Sequence, residues 1–149
     1  MKKNIKRIFV AILIFCLTIV PLSPVSAAVA EGSEIMPLYN NVSNANAIVS
    51  INNSGKMTIR YIYNGSPSIT TKAVITTYIE KRTLGLFWTR VDIGTTDNEW
   101  VDTKYDYSYD GSRSYQLSST GTYRVTVTYK IYGTGGSADE IECRVQDSY

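Results

Sequence analysis

The sequence predicts an all-β protein, an antiparallel β-sandwich of about seven strands, and three observations carry the prediction. From Asn46 onward apolar and polar residues alternate with a period of two. β-Branched and aromatic residues dominate these runs, and Gly, Asn, Asp and Ser punctuate them. No stretch after Asn46 spaces its apolar residues at three and four, as an amphipathic helix requires.

Each element follows from a turn signal and an alternating run. Asn52-Asn53-Ser54-Gly55 separates a strand over 47–51 from one over 56–63, where Met57, Ile59, Tyr61 and Tyr63 alternate with Thr58, Arg60 and Ile62. After the loop at 64–68, residues 69–81 put Ala73, Ile75, Thr77 and Ile79 on one face. A turn around Gly85 leads into 87–93, with Val91 and Ile93 on the side opposite Trp88 and Arg90. Beyond the polar break at 94–98, residues 100–109 and 114–117 flank Asp110-Gly111, a pair suited to the positive dihedrals of a tight turn, so a tyrosine-bearing hairpin is expected here. Residues 122–132 place Tyr123, Val125, Val127, Tyr129 and Ile131 on one face. Gly133 to Ser137 then turns the chain into 140–146, where Ile141, Cys143 and Val145 alternate with charged neighbours. Strands with one dry and one wet face stack as two layers.

The 149 residues correspond to one domain, by the usual range of about 100 to 200 residues per domain. Residues 1–30 read as a signal peptide: Lys2, Lys3, Lys6 and Arg7 precede an uncharged run from Ile8 to Val20, then prolines and small residues, with cleavage expected after Ala27 or Ala30. A helix over that run falls short of the ~30 Å hydrocarbon core of a bilayer. Phe15 before Cys16 is too bulky for a lipidation site. Residues 31–45 are expected to form an arm or an edge strand, and 46–149 the sandwich domain. Four of the 15 basic residues and none of the 13 acidic ones lie in the leader, so the formal net charge passes from +2 to −2 on its removal. The remaining Lys and Arg are scattered along the chain, which argues against nucleic acid and membrane surfaces as partners. Cys143 is then the single cysteine and is expected to pack as a small hydrophobe.

The segment Leu117-Ser-Ser-Thr-Gly121-Thr-Tyr123 resembles the tyrosine corner of immunoglobulin-like and fibronectin-type sandwiches, which implies that the Tyr123 hydroxyl returns to the backbone of its own loop. The "IMPLYNN" start, the Gly55 hairpin, "EKRTLGLFWTRV", "GTYRVTVTYKIYG" and the acidic strand ending in Ser148-Tyr149 are similar to a family of small exported proteins of Gram-positive bacteria with no established role. That likeness covers most of residues 35–149, implies an immunoglobulin-like sandwich and supplies no catalytic residue.

The chain has no histidine, so no Ser-His or Cys-His pair exists and no side chain titrates near neutrality without being perturbed. Paired carboxylates, from Glu99, Asp102 and Asp106 or from Glu80 with Asp92, would suit a glycosidase across a cleft, but solvated surface charge is the simpler explanation in so small a sandwich. Asp106-Tyr-Ser108-Tyr-Asp110-Gly111 matches the first half of a calcium loop, yet Leu117 stands where the bidentate glutamate belongs, so no metal and no cofactor is expected. Tyr105, Tyr107, Tyr109 and Tyr115 share a parity, so with Trp88 and Trp100 they could form an aromatic platform for a sugar or peptide, or else serve as core and rim. The expected function is therefore a secreted, loosely wall-associated, non-catalytic binding or structural module for a cell-wall glycan or an extracellular protein. The alternative is a secreted antagonist such as an inhibitor or bacteriocin-like protein.

Overall fold

A computed structural model describes residues 39–149 of the chain. The expected signal peptide over residues 1–30, with its helix and cleavage sites, and residues 31–38 of the expected arm lie outside the described residues. Eight strands run in order: β1 (Val42–Ile51), β2 (Lys56–Gly65), β3 (Thr70–Thr83), β4 (Phe87–Arg90), β5 (Trp100–Lys104), β6 (Ser108–Gln116), β7 (Thr122–Gly133) and β8 (Asp139–Ser148). They form two antiparallel sheets, one ordered β1-β2-β6 and the other β4-β3-β7-β8, with β5 also on β3. No helix occurs among the described residues.

Alternation decides which faces meet. Tyr123, Val125, Val127, Tyr129 and Ile131 of β7 are buried, as are Met57, Ile59, Tyr61 and Tyr63 of β2 and Ala73, Ile75 and Ile79 of β3, so both sheets share one core. Tyr63 and Tyr129 meet edge to face across it, centroids 6.3 Å apart. Burial first, then the Asp106 charge and Tyr109, push the Tyr63 phenol up to about 12; burial likewise raises Tyr129. Cys143 is half-buried with Sγ 3.8 Å from the Ala45 carbonyl oxygen, and burial raises its thiol.

Eight strands form where about seven were expected, and β4 and β5 pair with successive stretches of the same strand, β3. One expectation is corrected. The hairpin around Asp110-Gly111 does not form. β5 ends at Lys104 in one sheet, the chain crosses over, and β6 runs unbroken through Asp110 and Gly111 in the other, pairing them with Ile62 and Tyr61 of β2. Two contacts explain the override. Arg60 of β2 donates two hydrogen bonds to the Asp110 carboxylate, at 2.8 and 2.5 Å. Gly111, lacking a Cβ, leaves room for the Tyr109 ring to lie over it.

β1 begins at Val42, inside the stretch expected to be an arm. The Asp139 carboxylate accepts the Asn40 and Asn41 N–H groups at 3.2 and 2.6 Å, and the Asn41 amide donates to the Ser137 carbonyl and accepts the Gly135 N–H. These bonds fasten the start of β1 to the β7–β8 loop. Glycine is required there: a Cβ at 133 would collide with the Ile69 carbonyl and the Asn41 side chain.

Candidate binding surface

The six aromatic residues singled out from the sequence fall into three places. Trp100, Tyr109 and Tyr115 close the side of the domain where β5 and β6, from different sheets, face one another. Trp100 and Tyr115 meet edge to face at 5.7 Å, Arg113 lies 4.9 Å over the Trp100 ring, and Lys104 lies 4.7 Å over the Tyr109 ring. Arg113 also pairs with Asp102 at 2.7 Å, and the Tyr115 hydroxyl donates to the Asp92 carbonyl oxygen at 3.0 Å. Burial, then the Asp92 charge, raise the Tyr115 phenol. These three rings act as the wall of the core, their exposed sides occupied by neighbouring cations and edges.

Tyr105 and Tyr107 lie in the β5–β6 crossover, 82% and 43% exposed. Their backbone is anchored: the Asp106 carbonyl accepts the Tyr63 hydroxyl at 3.0 Å and the Tyr107 carbonyl accepts the Gly65 N–H at 2.8 Å. Trp88 is at the other end. Lys104 pairs with Ala73, whereas Trp88 pairs with Arg82 further along the same strand, a separation of roughly 30 Å at ~3.3 Å per residue. A single platform uniting Trp88 with the crossover tyrosines is thus not present.

Around Trp88 the structure assembles a group that sequence reasoning missed. On the outer face of the larger sheet, Arg124 of β7 lies 4.4 Å over the Trp88 ring and Arg82 of β3 lies 6.0 Å from it. Arg124 is held by Glu80 at 2.7 Å. Next to them Arg90 lies 3.7 Å over the Tyr78 ring and pairs with Glu99 at 2.7 Å. Each position was legible as wet-facing from alternation, but the group draws on β3, β4, β7 and the loop before β5, so only strand pairing brings it together. Glu80, Glu99 and Asp102 are each tied to an arginine. Among the described residues no three His, Cys, Asp or Glu side chains gather as a metal site.

The β3–β4 turn just beyond carries the largest exposed apolar cluster among the described residues. Leu84, Leu86 and Phe87 are 84%, 76% and 64% exposed. The Leu86 N–H donates to the Thr83 carbonyl at 3.2 Å, and both central residues have positive φ, 53° at Leu84 and 70° at Gly85. Positive φ at both positions suits Asn or Gly and strains a leucine. The available signal was "TLGLF" itself, a turn with leucine where turn chemistry asks for a small polar residue. No family model matches the chain, and neither does any curated protein. Fold and surface together define an all-β domain of two antiparallel sheets with an apolar hairpin tip beside an arginine-aromatic face.

Proposed function

We propose that this protein is an exported, non-catalytic binding module with an immunoglobulin/fibronectin-like sandwich, and that its contact surface is the β3–β4 hairpin with the adjoining Trp88 face. Export follows from the leader read over residues 1–30. The strand order supports the fold assignment: β1, β2 and β6 correspond to one immunoglobulin sheet and β3, β7 and β8 to the other, with β4 and β5 along the β3 edge. So does the Tyr123 hydroxyl, which donates to the Ser119 carbonyl at 2.6 Å at the start of β7.

The observation that carries the functional reading is the exposure of Leu84, Leu86 and Phe87 on a strained turn. Exposed apolar clusters of this kind mark interaction sites. Neither turn chemistry nor core packing calls for these side chains, so burial against something else is the remaining physical reason for them. The ring faces at Trp88, Trp100 and Tyr109 carry cations, which disfavours a sugar stacked on them and favours a partner with apolar and anionic character.

Co-sedimentation with isolated bacterial cell envelopes, wall and membrane together, tests the reading. The native chain is expected to pellet and L84S/L86S/F87S to stay largely in the supernatant, while Y105A/Y107A behaves as native. Equal pelleting of the hairpin variant would remove the hairpin from the contact surface.

A further inference from the structure

We infer that the β3–β4 hairpin is a membrane anchor that inserts Leu84, Leu86 and Phe87 into the outer leaflet of an anionic phospholipid bilayer. The inference rests on the reading of the hairpin as the contact surface and names its partner.

Three features of the hairpin select a bilayer. The first is shape. The last β3–β7 pair is Lys81 with Tyr123, whereas β3 and β4 stay paired out to Thr83 and Phe87, so the tip stands beyond the sheet that supports it. A narrow convex tip offers on the order of 400 Å² from three large side chains, about half the ~800 Å² that each partner gives to a stable protein interface. A fluid acyl layer closes around such a tip without needing a matching cavity.

The second is layering. Leu84, Leu86 and Phe87 occupy the end of the hairpin; Trp88 and Arg82, paired across β3 and β4, come next; Lys81 follows, its Nζ donating to Ser119 Oγ at 2.7 Å. Apolar, then aromatic, then cationic is the order in which a bilayer surface presents acyl chains, interface and headgroup phosphates.

The third is charge. Glu80 is tied to Arg124 and Glu99 to Arg90, and among the described residues Lys81 and Arg82 are in no ion pair. Two cations beside the tip, Lys81 on Ser119 and the Tyr123 ring and Arg82 by Trp88, thus carry no carboxylate counter-ion that headgroup phosphates would have to displace. Arg124, distant in sequence, joins Arg82 at the Trp88 ring.

The test uses the full chain, whose tryptophans are Trp88 and Trp100 only, so the leader contributes no signal. W100F leaves Trp88 as the reporter beside the tip, and W88F leaves Trp100, whose partner Thr77 lies on β3 five residues from Arg82, the partner of Trp88, on the side away from the tip. Vesicles of equimolar phosphatidylglycerol and phosphatidylcholine carry brominated acyl chains as contact quenchers. The expected result is quenching of Trp88 and not of Trp100, with the vesicle concentration needed rising about tenfold or more in L84S/L86S/F87S and rising also in K81E/R82E or with pure phosphatidylcholine. Should W100F fail to fold, the difference between the native chain and W88F reports the same quantity. Bound protein with Trp88 unquenched, or a hairpin variant quenched as strongly as native, overturns insertion. So does complete competition by soluble polyphosphate, which would show phosphate recognition alone. If envelopes retain the native chain through the hairpin while vesicles do not quench Trp88, the contact surface stands and the lipid assignment falls; if envelope binding ignores the hairpin, both fall.

Discussion

The Tyr129 hydroxyl donates a hydrogen bond to the Asn46 carbonyl oxygen at 2.7 Å, joining β7 of the larger sheet to β1 of the smaller. The Tyr129 hydroxyl oxygen in turn accepts the Ile62 N–H at 3.3 Å, so one phenol links the edge strand β1 and the central strand β2 of that layer to β7 through the core. Y129F removes a buried donor and leaves the Asn46 carbonyl and the Ile62 N–H short of a partner. A loss of about 1–3 kcal/mol in unfolding free energy is expected, read as a lower urea midpoint at unchanged slope.

Alkaline stability follows from the same burial. Tyr63 is pushed up to about 12 from an ordinary value of 10.0, and Tyr129 is raised further. Above the ordinary value the unfolded chain loses these protons while the folded one keeps them, so folding free energy is full below pH ~10 and falls as pH rises, by up to about 1.4 kcal/mol per pH unit per tyrosine. The urea midpoint measured across this range should decline less steeply in Y63F. An identical slope in Y63F would show that the phenol titrates normally when folded.

Gly111 exists for Tyr109, whose ring occupies the space a Cβ would take. G111A is expected to destabilise the domain by about 1–3 kcal/mol through overpacking, and Y109A/G111A to fall short of the sum of the single changes. Additive losses in thermal unfolding would mean that the two residues do not share that space.

Leu84 sets stability against binding. Its φ of 53° is unfavourable for a leucine and its side chain is largely exposed in the free protein. L84N should raise unfolding free energy by up to about 1 kcal/mol while weakening envelope retention, a trade common where a site keeps a residue the fold does not want. A variant that lost stability would point to a structural role for the leucine.

How much of this was legible differs by element. Tyr123 through Ile131 advertise their dry face because a half-buried strand needs only local alternation, and the Asn52–Gly55 turn is equally local: Asn52 Oδ1 accepts the Ser54 and Lys56 N–H groups, and Gly55 has a φ of 76°. Asp110-Gly111 misled because its turn propensity is weaker than nine residues of pairing with β2, the Arg60 ion pair and the Tyr109 ring combined. The tyrosine row broke for the same reason: the crossover after Lys104 sends Tyr105 and Tyr107 to solvent and Tyr109 and Tyr115 to the core wall. Trp88 was visible as a candidate, but its arginine neighbours come from two other strands, β3 and β7, and no local pattern announces them.

Hydrogen–deuterium exchange of the chain, free and bound to vesicles of phosphatidylglycerol and phosphatidylcholine, addresses the contact surface most directly. Slowed exchange confined to residues 82–88, with 105–107 unchanged, is the predicted result. Protection at Tyr105 to Tyr107, or along the outer face of β1, β2 and β6 with the hairpin unaffected, would contradict it.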